Sequence, residues 1–215
     1  LITYFEEGYP VWYMRGYNYE GVNPETGEPI FTDKDQNGVI NSDDMDMVGS
    51  GIPDLTYGIT INLGYKNFDF TLFGSGAAGN DIYSCVYRTE HPRINSLKYF
   101  FDNRWTPENK GASMPSVANI ATNVKFWSST ANLFNGSYFK IKQIQLGYTL
   151  PQDLLKKVSI SSLRVFASLD DFFTFTKYPG FDPEMASTGA ANGIGFDKGS
   201  FPTSRKFVFG FNLSF

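Results

Sequence analysis

The sequence predicts an all-β fold, in which antiparallel strands from the wall of a transmembrane β-barrel are joined by long extracellular loops. Three observations lead to this prediction: strands in which every second residue is apolar, a strand of this kind at the end of the chain, and an alternation of long and short connections. Successive side chains of a strand point to opposite faces, so each of these strands has one apolar face. A barrel wall needs such a face for lipid and a polar face for its lumen.

The terminal strand 205–215 has the clearest alternation. Phe207, Phe209, Phe211, Leu213 and Phe215 occupy every second position, and mostly small or polar residues separate them. An uncovered apolar face on a terminal strand promotes aggregation in water, whereas a bilayer would cover it. A strand that ends in Phe also resembles the C-terminal assembly signal of bacterial outer-membrane proteins.

Five further segments complete a set of about six predicted strands. Lys66-Asn67 forms a tight turn between two of them, which predicts a hairpin. The five segments are Val11–Gly21, Asp54–Tyr65, Phe68–Gly76, Ser137–Leu150 and Leu163–Phe172.

One strand interrupts the alternation. In Ser137–Leu150, the second half has Ile144, Leu146 and Tyr148 on one face, but Lys140 and Lys142 fall in the same register. We expect the first half to project beyond the bilayer, where water reaches both faces.

The connections predict the orientation of the strands. Long loops follow the first, third and fifth strands (22–53, 77–136 and 173–204), and short connections follow the second and fourth. Barrels alternate long extracellular loops with short periplasmic turns, so this order predicts a periplasmic C-terminus. Within the second loop, Ile94–Trp105 has the spacing of a short helix.

Composition excludes several classes of function. The net charge is −4 and there is no basic cluster, so a nucleic-acid partner is not expected. The sequence contains no run of about 18 apolar residues, so no transmembrane helix is predicted. With one cysteine (Cys85), one histidine (His91, expected at the surface) and no nucleophile or phosphate-loop motif, the chain is not expected to be an enzyme.

The segment Asp33–Asp44 has the spacing of a calcium-binding loop. Side chains at positions 1, 3, 5, 9 and 12 and a backbone carbonyl at position 7 would supply oxygen ligands, and Gly38 at position 6 allows the sharp turn. The shorter Asp at position 12 replaces the usual Glu, so the loop resembles dockerin-type loops more than paired EF-hands. A metal-free, Asx-rich turn is the alternative. The predicted ligands of a structural calcium ion are Asp33, Asp35, Asn37, Val39, Asn41 and Asp44.

Aromatic and polar residues of the loops are candidates for contact with a substrate or a partner. Aromatic rings stack on sugar rings or peptide groups at modest entropic cost, although such side chains can equally pack one loop against another. The candidates are Trp105, Phe126, Trp127, Tyr178, Phe181 and Asp182.

These blocks together resemble the C-terminal part of SusC/RagA-type TonB-linked outer-membrane transporters. The similarity extends over nearly the whole chain, and the blocks occur in the order found in that family. The stretches that carry it are GYPVWYMRGYNYEGV, DKDQNGVINSDDMDMVGSGIPDLTYG, YKNFDFTLFGSGAAGNDIY, NRWTPEN, SYFKIKQIQLGYTLP, LRVFASLDDFFTFTKYPGFDPE and FPTSRKFVFGFNLSF.

The resemblance implies import of nutrient oligomers, either glycans or peptides, through a plugged barrel of about 22 strands in the outer membrane. It also implies energy from a TonB–ExbB–ExbD complex and a SusD-like surface lipoprotein that caps the barrel. About six strands cannot close such a barrel, and open sheet edges in lipid are costly. We therefore expect the plug, the TonB box and the remaining strands to lie elsewhere in a longer polypeptide.

A secreted, calcium-bearing β-sandwich that binds carbohydrate or protein is the alternative. It accounts for Asp33–Asp44 and for the aromatic residues equally well. It does not account for the lipid-like strand faces or for the terminal Phe.

Overall fold

The computed structural model describes residues 2–85, 98–121, 123–156, 160–186 and 194–215. The chain divides into two compact units. The sheet unit consists of Asp54–Ala78, Ser137–Lys177 and Pro202–Phe215, and the loop unit consists of Leu1–Pro53, Gly79–Gly136 and Tyr178–Phe201. His91 and the first four residues of the predicted helix 94–105 lie outside the described residues.

Most of the regular structure is extended. The strands are β1 (Ile2–Tyr4), β2 (Tyr13–Gly16), β3 (Tyr19–Val22), β4 (Pro29–Phe31), β5 (Asp46–Ser50), β6 (Leu55–Tyr65), β7 (Phe68–Ala78), β8 (Asp81–Ser84), β9 (Leu133–Asn135), β10 (Tyr138–Thr149), β11 (Ser162–Thr176), β12 (Phe196–Asp197) and β13 (Lys206–Ser214). The short helices are α1 (Lys98–Asn103), α2 (Val117–Ala121), α3 (Val124–Trp127), α4 (Gln152–Leu155) and α5 (Pro183–Ala186). None of the helices in the described ranges is long and apolar enough to cross a membrane.

The sheet unit is one five-stranded antiparallel sheet in the order β13-β11-β10-β7-β6. Lys66-Asn67 connects β6 to β7, and the segment 150–161, which contains α4, connects β10 to β11. At the other end of the sheet, Leu55 pairs with Ala78, and Tyr138 pairs with both Ala77 and Thr176. All three longer segments therefore join the sheet at this second end.

One face of this sheet is apolar across all five strands. The pairing aligns Leu63, Phe70, Leu146, Ala167 and Phe209 in a single row. The rows on either side of it are equally apolar: Ile61, Leu72, Ile144, Leu169 and Phe207, and then Tyr65, Phe68, Tyr148, Val165 and Phe211. Phe209 remains 72% exposed. A sandwich would bury these rows under a second sheet, and among the described residues no second sheet covers them, which disfavours the sandwich alternative.

Aromatic side chains mark both ends of the apolar face. Tyr65, Phe68 and Tyr148 lie at the end of the short connections, and Phe68 and Tyr148 have ring centroids 4.6 Å apart. At the opposite end, Phe139 lies between Tyr57 at 5.9 Å and Phe175 at 6.4 Å. The two aromatic rows are about 27 Å apart along the strand, or about 21 Å along the axis of a barrel with strands tilted by about 40°. This height is close to the ~25 Å apolar band of outer-membrane barrels.

A β-bulge explains the irregular alternation of β10. The register shifts between Ile141 and Gln143 against both neighbouring strands, which leaves Lys142 without a partner in the ladder. Beyond the bulge, Ile141 and Phe139 return to the apolar face, opposite Gly74 and Gly76 of β7. The bulge therefore accounts for the break in the alternation without requiring that water reach both faces of this half of the strand. The extra residue, Lys142, shifts the alternation of β10 by one position, so apolar side chains face the same side of the sheet before and after the bulge.

The opposite face of the sheet is polar and has its own contacts. The Arg164 guanidinium binds the Asp69 carboxylate in a bidentate ion pair, with Nε–Oδ2 and Nη2–Oδ1 distances of 2.8 and 2.5 Å. This pair crosses over Gly147, where a Cβ atom would lie 2.4 Å from Arg164 Nη2. The Phe166 ring covers Gly210 of β13 in the same way, with its Cζ 2.5 Å from an added Cβ. On the polar face, the missing side chains of Gly147 and Gly210 therefore allow these cross-strand contacts.

The loop unit contains three small sheets (β1-β2-β5, β12-β8-β9 and β3-β4) around two apolar clusters. The larger cluster consists of Tyr17, Phe31, Phe100, Met114, Ile120, Phe126 and Trp127. The three predicted loops therefore contain secondary structure and a core of their own.

The first predicted strand, Val11–Gly21, is also part of the loop unit. It forms β2 and β3, and it does not pair with the five-stranded sheet. The adjacent Tyr13 and Met14 are both buried, whereas a wall strand exposes alternate residues. Five of the six predicted strands thus form the sheet.

Candidate functional site

The predicted calcium loop brings three carboxylates together. One oxygen each from Asp33, Asp35 and Asp44 lies within 4.8 Å of the other two. Ligands of a calcium ion lie 2.3–2.6 Å from it, so oxygens on one ion are at most about 5 Å apart. Asp33 Oδ1 is buried and accepts no hydrogen bond from the described residues. The spacing of the carboxylates and this buried oxygen both fit a divalent cation.

Hydrogen bonds within the loop hold it in this shape. Gly38 N donates to Asp33 Oδ2 at 2.8 Å, and Val39 N donates to Asn37 Oδ1 at 2.7 Å. Asn41 Oδ1 accepts from Asp43 N at 2.7 Å. Gly38 has a φ of +79°, which a side chain would strain. The side-chain oxygens of Asn37 and Asn41 thus accept backbone hydrogen bonds, as in an Asx-rich turn. Of the six predicted ligands, the carboxylates of Asp33, Asp35 and Asp44 lie close together.

Backbone donors keep the deepest carboxylate of the loop ionised. Asn41 N donates to Asp44 Oδ2 at 2.7 Å, and Lys34 N donates to Asp44 Oδ1 at 2.8 Å. These bonds, the one from Asn41 first, hold the pKa of the buried Asp44 carboxyl below its usual range against the opposing effect of burial. Likewise, a hydrogen bond from Lys34 Nζ lowers the pKa of the Asp46 carboxyl. The carboxyl groups of Asp44 and Asp46 are therefore ionised at neutral pH.

Four of the six predicted contact residues are buried in the loop unit. Phe126 and Trp127 lie in its larger cluster, and Tyr178 lies in the smaller one. The Tyr178 hydroxyl donates to Asp197 Oδ2 at 2.5 Å, and Asp182 Oδ1 accepts from Glu184 N at 3.1 Å at the start of α5. Burial favours packing for these four residues, the alternative that the sequence also allowed.

The other two predicted contact residues reach the surface. Phe181 is 66% exposed. Trp105 is half-buried, its Nε1 donates to Pro24 O at 2.9 Å, and its ring covers Gly27. Among the six predicted contact residues, Trp105 and Phe181 are thus the two whose side chains reach the surface.

Sequence reasoning missed an exposed aromatic surface near the start of the chain. Phe5, Tyr9 and Val11 are exposed and Trp12 is half-buried, beside the carboxylates of Glu6 and Glu7. We call these six residues the aromatic turn. The stretch FEEGYPVW contains the signal, because Gly8 and Pro10 predict a turn that would present its aromatic residues to solvent.

Comparisons with known proteins cover the chain nearly completely. No protein-family model matches it. The chain is 30% identical to TonB-dependent receptor P3 of Formosa agariphila over 97% of its own length and 22% of that receptor. It is 28% identical to TonB-dependent receptor SusC of Bacteroides thetaiotaomicron, over 93% of its own length and 19% of SusC.

The solved structures agree with these relatives. The structure of the RagAB peptide importer in its closed-closed state matches the whole chain with a TM-score of 0.77 at 25% identity. The chain belongs to the SusC/RagA-type TonB-dependent receptors, which confirms the resemblance found in its sequence. The antiparallel fold predicted for a segment of such a barrel is confirmed with it.

The match covers only part of each relative. The chain spans about a fifth of the length of the curated TonB-dependent receptors and 25% of the matched chain of the RagAB importer. The function of a whole SusC/RagA-type receptor is therefore inferred for this chain only as a proposal.

Proposed function

We propose that the chain is the C-terminal part of an outer-membrane active transporter that imports nutrient oligomers, either glycans or peptides. The apolar face of the five-stranded sheet carries this proposal, because it combines an exposed apolar surface with a polar reverse side. Lipid covers such a face in a barrel wall, and the polar face lines the lumen. The similarity to SusC and to the RagAB peptide importer supports import as the function.

The transporter takes its energy from TonB, together with ExbB and ExbD, through parts that lie outside this chain. A SusD-like surface lipoprotein closes it from the outside and contacts the loop unit. Trp105 and Phe181 are the two sequence-predicted residues that remain available for contact with the lipoprotein or the substrate. The short connections of the sheet face the periplasm in this arrangement, and so does the C-terminus.

Uptake by cells that carry the complete transporter tests this proposal. We expect fluorescent oligopeptides or oligoglycans to accumulate in the periplasm, and we expect accumulation to stop when TonB is removed. Phe181→Ala should weaken capture of the lipoprotein or of the substrate, whereas Phe201→Ala, at a similarly exposed ring, is the matched control. Uptake of neither class of oligomer, or uptake without TonB, would contradict the proposal.

We further propose that Asp33–Asp44 binds a structural calcium ion. Asp33, Asp35 and Asp44 supply carboxylate oxygens to the ion. Asp33 Oδ1 is buried and accepts no hydrogen bond from the described residues, so a bound cation would compensate its burial. Ile40 and Met45 pack against the larger cluster of the loop unit, so the ion would fix this loop against that core.

Calcium titration followed by thermal unfolding tests the metal site. At a concentration 100-fold above its Kd, calcium should stabilise the folded loop by about 2.7 kcal/mol. Asp33→Ala should abolish this effect, whereas Asp153→Ala, at an exposed carboxylate on α4, should preserve it. Equal responses of both variants to calcium would favour the metal-free turn.

A further inference from the structure

An open pocket of the loop unit brings together residues from three separate elements. Its volume is about 530 Å³, which falls in the range of small-molecule sites in proteins. None of the residues that line it belongs to the predicted calcium loop or to the six predicted contact residues. The lining residues are Glu28 and Pro29 at the start of β4, Asn119 in α2, and Asn123, Val124 and Lys125 at the start of α3.

Packing and hydrogen bonds fix the two helical walls of this pocket. Ile120 of α2 and Phe126 of α3 are buried in the larger cluster. Asn119 Nδ2 donates to Thr26 O at 3.2 Å, and Asn123 Oδ1 accepts from Phe126 N at 3.2 Å. Asn119 Oδ1 and Asn123 Nδ2 form no hydrogen bond with the described residues. The pocket is therefore formed before a ligand arrives, which lowers the entropic cost of binding.

A carboxylate and an ammonium group line this pocket without pairing with each other. Lys125 Nζ donates to Ile40 O of the calcium-type loop at 2.5 Å, and Glu28 Oε2 accepts from Thr26 Oγ1 at 3.2 Å. Neither charged group forms an ion pair with any residue that the structure describes. Ile40 packs against the larger cluster, so its carbonyl is a fixed anchor for the ammonium. Two further N–H donors of Lys125 and the second oxygen of Glu28 are thus available to a ligand.

These groups are complementary to a zwitterion. Lys125 and Asn123 Nδ2 donate hydrogen bonds, as a carboxylate requires, whereas Glu28 and Asn119 Oδ1 accept them, as an ammonium group requires. A sphere with the volume of the pocket is about 10 Å across. An α-amino acid with a hydrogen bond of about 2.8 Å at each end spans about 9 Å, so one molecule matches the size of the pocket.

We propose that this pocket binds a free α-amino acid with an apolar side chain. Its carboxylate pairs with Lys125 and its ammonium group pairs with Glu28, while its side chain lies against Pro29 and the 75% exposed Val124. A free amino acid is a monomer, whereas the proposed cargo is an oligomer, so this site adds a binding function to import. The inference does not depend on the proposed import.

Calorimetric titration of the complete protein in detergent micelles tests this inference without requiring transport. The probes are L-leucine, which carries both charges, L-leucinamide, which lacks the carboxylate, and N-acetyl-L-leucine, which lacks the ammonium group. We expect leucine to bind more tightly than either derivative by about fivefold, the contribution of one exposed charge pair.

Two variants test the two charged groups separately. Lys125→Gln should weaken leucine binding by about fivefold and leave leucinamide binding unchanged, because leucinamide has no carboxylate to pair with the lysine. Glu28→Gln should weaken leucine binding to a similar extent and leave N-acetylleucine binding unchanged. General damage to the pocket would weaken all three probes together, so this pattern distinguishes ligand contact from a structural role.

Two control variants separate this pocket from general electrostatic attraction. Glu108→Gln and Lys198→Gln alter an exposed carboxylate and an exposed ammonium group elsewhere in the loop unit, and both should bind leucine as the unaltered protein does. The inference is overturned if the three probes bind equally, if each pocket variant weakens all three probes alike, or if sucrose displaces leucine. Leucine binding without oligomer uptake would contradict the proposed import and leave this inference standing. Oligomer uptake without leucine binding would overturn this inference alone.

Discussion

The ion pair between Asp69 and Arg164 depends on the absence of a side chain at Gly147. The two charged residues belong to β7 and β11, and the pair spans β10 directly above this glycine. A bidentate guanidinium–carboxylate pair is geometrically specific, so its loss would affect the alignment of three strands.

Gly147→Ala should therefore weaken the folded sheet. An added Cβ would lie 2.4 Å from Arg164 Nη2 and from Asp69 Oδ2, so the pair would have to separate. We expect a lower unfolding temperature, measured by heat-modifiable mobility on gels. Gly64→Ala is the matched control, because nothing lies within 4 Å of a Cβ atom at that position. Equal effects at both glycines would contradict this role of the ion pair.

Phe126 tests whether the predicted contact residues bind or pack. It is buried in the larger cluster and lies edge-on to Tyr19 and Trp127, with ring centroids at 5.5 and 5.1 Å. Phe126→Ala should destabilise the loop unit by about 3–5 kcal/mol, in the range found for buried aromatic residues. Thermal unfolding of the complete protein measures this effect, with exposed Phe181→Ala as the control. Lost ligand binding with unchanged stability would instead restore Phe126 as a contact residue.

At the scale of single elements, the bulge in β10 is the feature that keeps the apolar face continuous. Lys142 is the inserted residue, and its Nζ lies 3.8 Å from Asp171 Oδ1. Asp171 has a φ of +57°, so the neighbouring strand is distorted at the same level. Beyond the bulge, the buried Lys140 donates to Thr203 Oγ1 on the polar side.

Deletion of Lys142 should therefore be far more damaging than its truncation. Without the extra residue, Ile141 and Phe139 would turn to the polar face and Lys140 would turn toward lipid, because a one-residue shift reverses every side chain. We expect the deletion variant to fail to assemble in the outer membrane, whereas Lys142→Ala should assemble normally. The fraction of heat-modifiable protein in membrane extracts measures both. Normal assembly of the deletion variant would show that the bulge does not set the alternation.

The elements differ in how far the sequence predicted them. The hairpin of β6 and β7 and the terminal strand were predicted closely, because alternation and a tight turn are local patterns. The bulge was missed, because it appears only when β10 is aligned with two strands distant in sequence. Val11–Gly21 was wrongly assigned to the wall, since its aromatic content is typical of strands but both faces are buried.

At the scale of the whole molecule, the apolar face predicts a strong difference between neighbouring residues of β13. Phe207→Arg would place a charge on the lipid face in the row midway between the two aromatic rows and should destabilise the assembled wall by about 2–4 kcal/mol, the range found near the centre of the bilayer. Val208→Arg points to the polar side and should have little effect. Unfolding of both variants in lipid vesicles measures the difference. Equal destabilisation would contradict the assignment of the two faces.

The candidate site was predicted only in part, for reasons of scale. The calcium-type loop lies within twelve consecutive residues, Asp33–Asp44, so the spacing alone predicted ligands of which three carboxylates do converge. The contact residues depend on burial, which is a property of the assembled loop unit. Phe126 packs there with Tyr17, Phe31 and Phe100, residues far apart in sequence, so no local pattern could separate packing from contact.

The sheet receives all three long segments at one end, and this arrangement allows those segments to vary in sequence and length. The opposite end is closed by Lys66-Asn67 and by the segment 150–161, so a change in the long segments leaves the register of the wall intact. Doubling the length of a loop costs only about 0.6 kcal/mol in closure entropy. One such sheet can therefore carry many different loop sets, and under the proposed import function an exchange of loops would change specificity without any change in the strands.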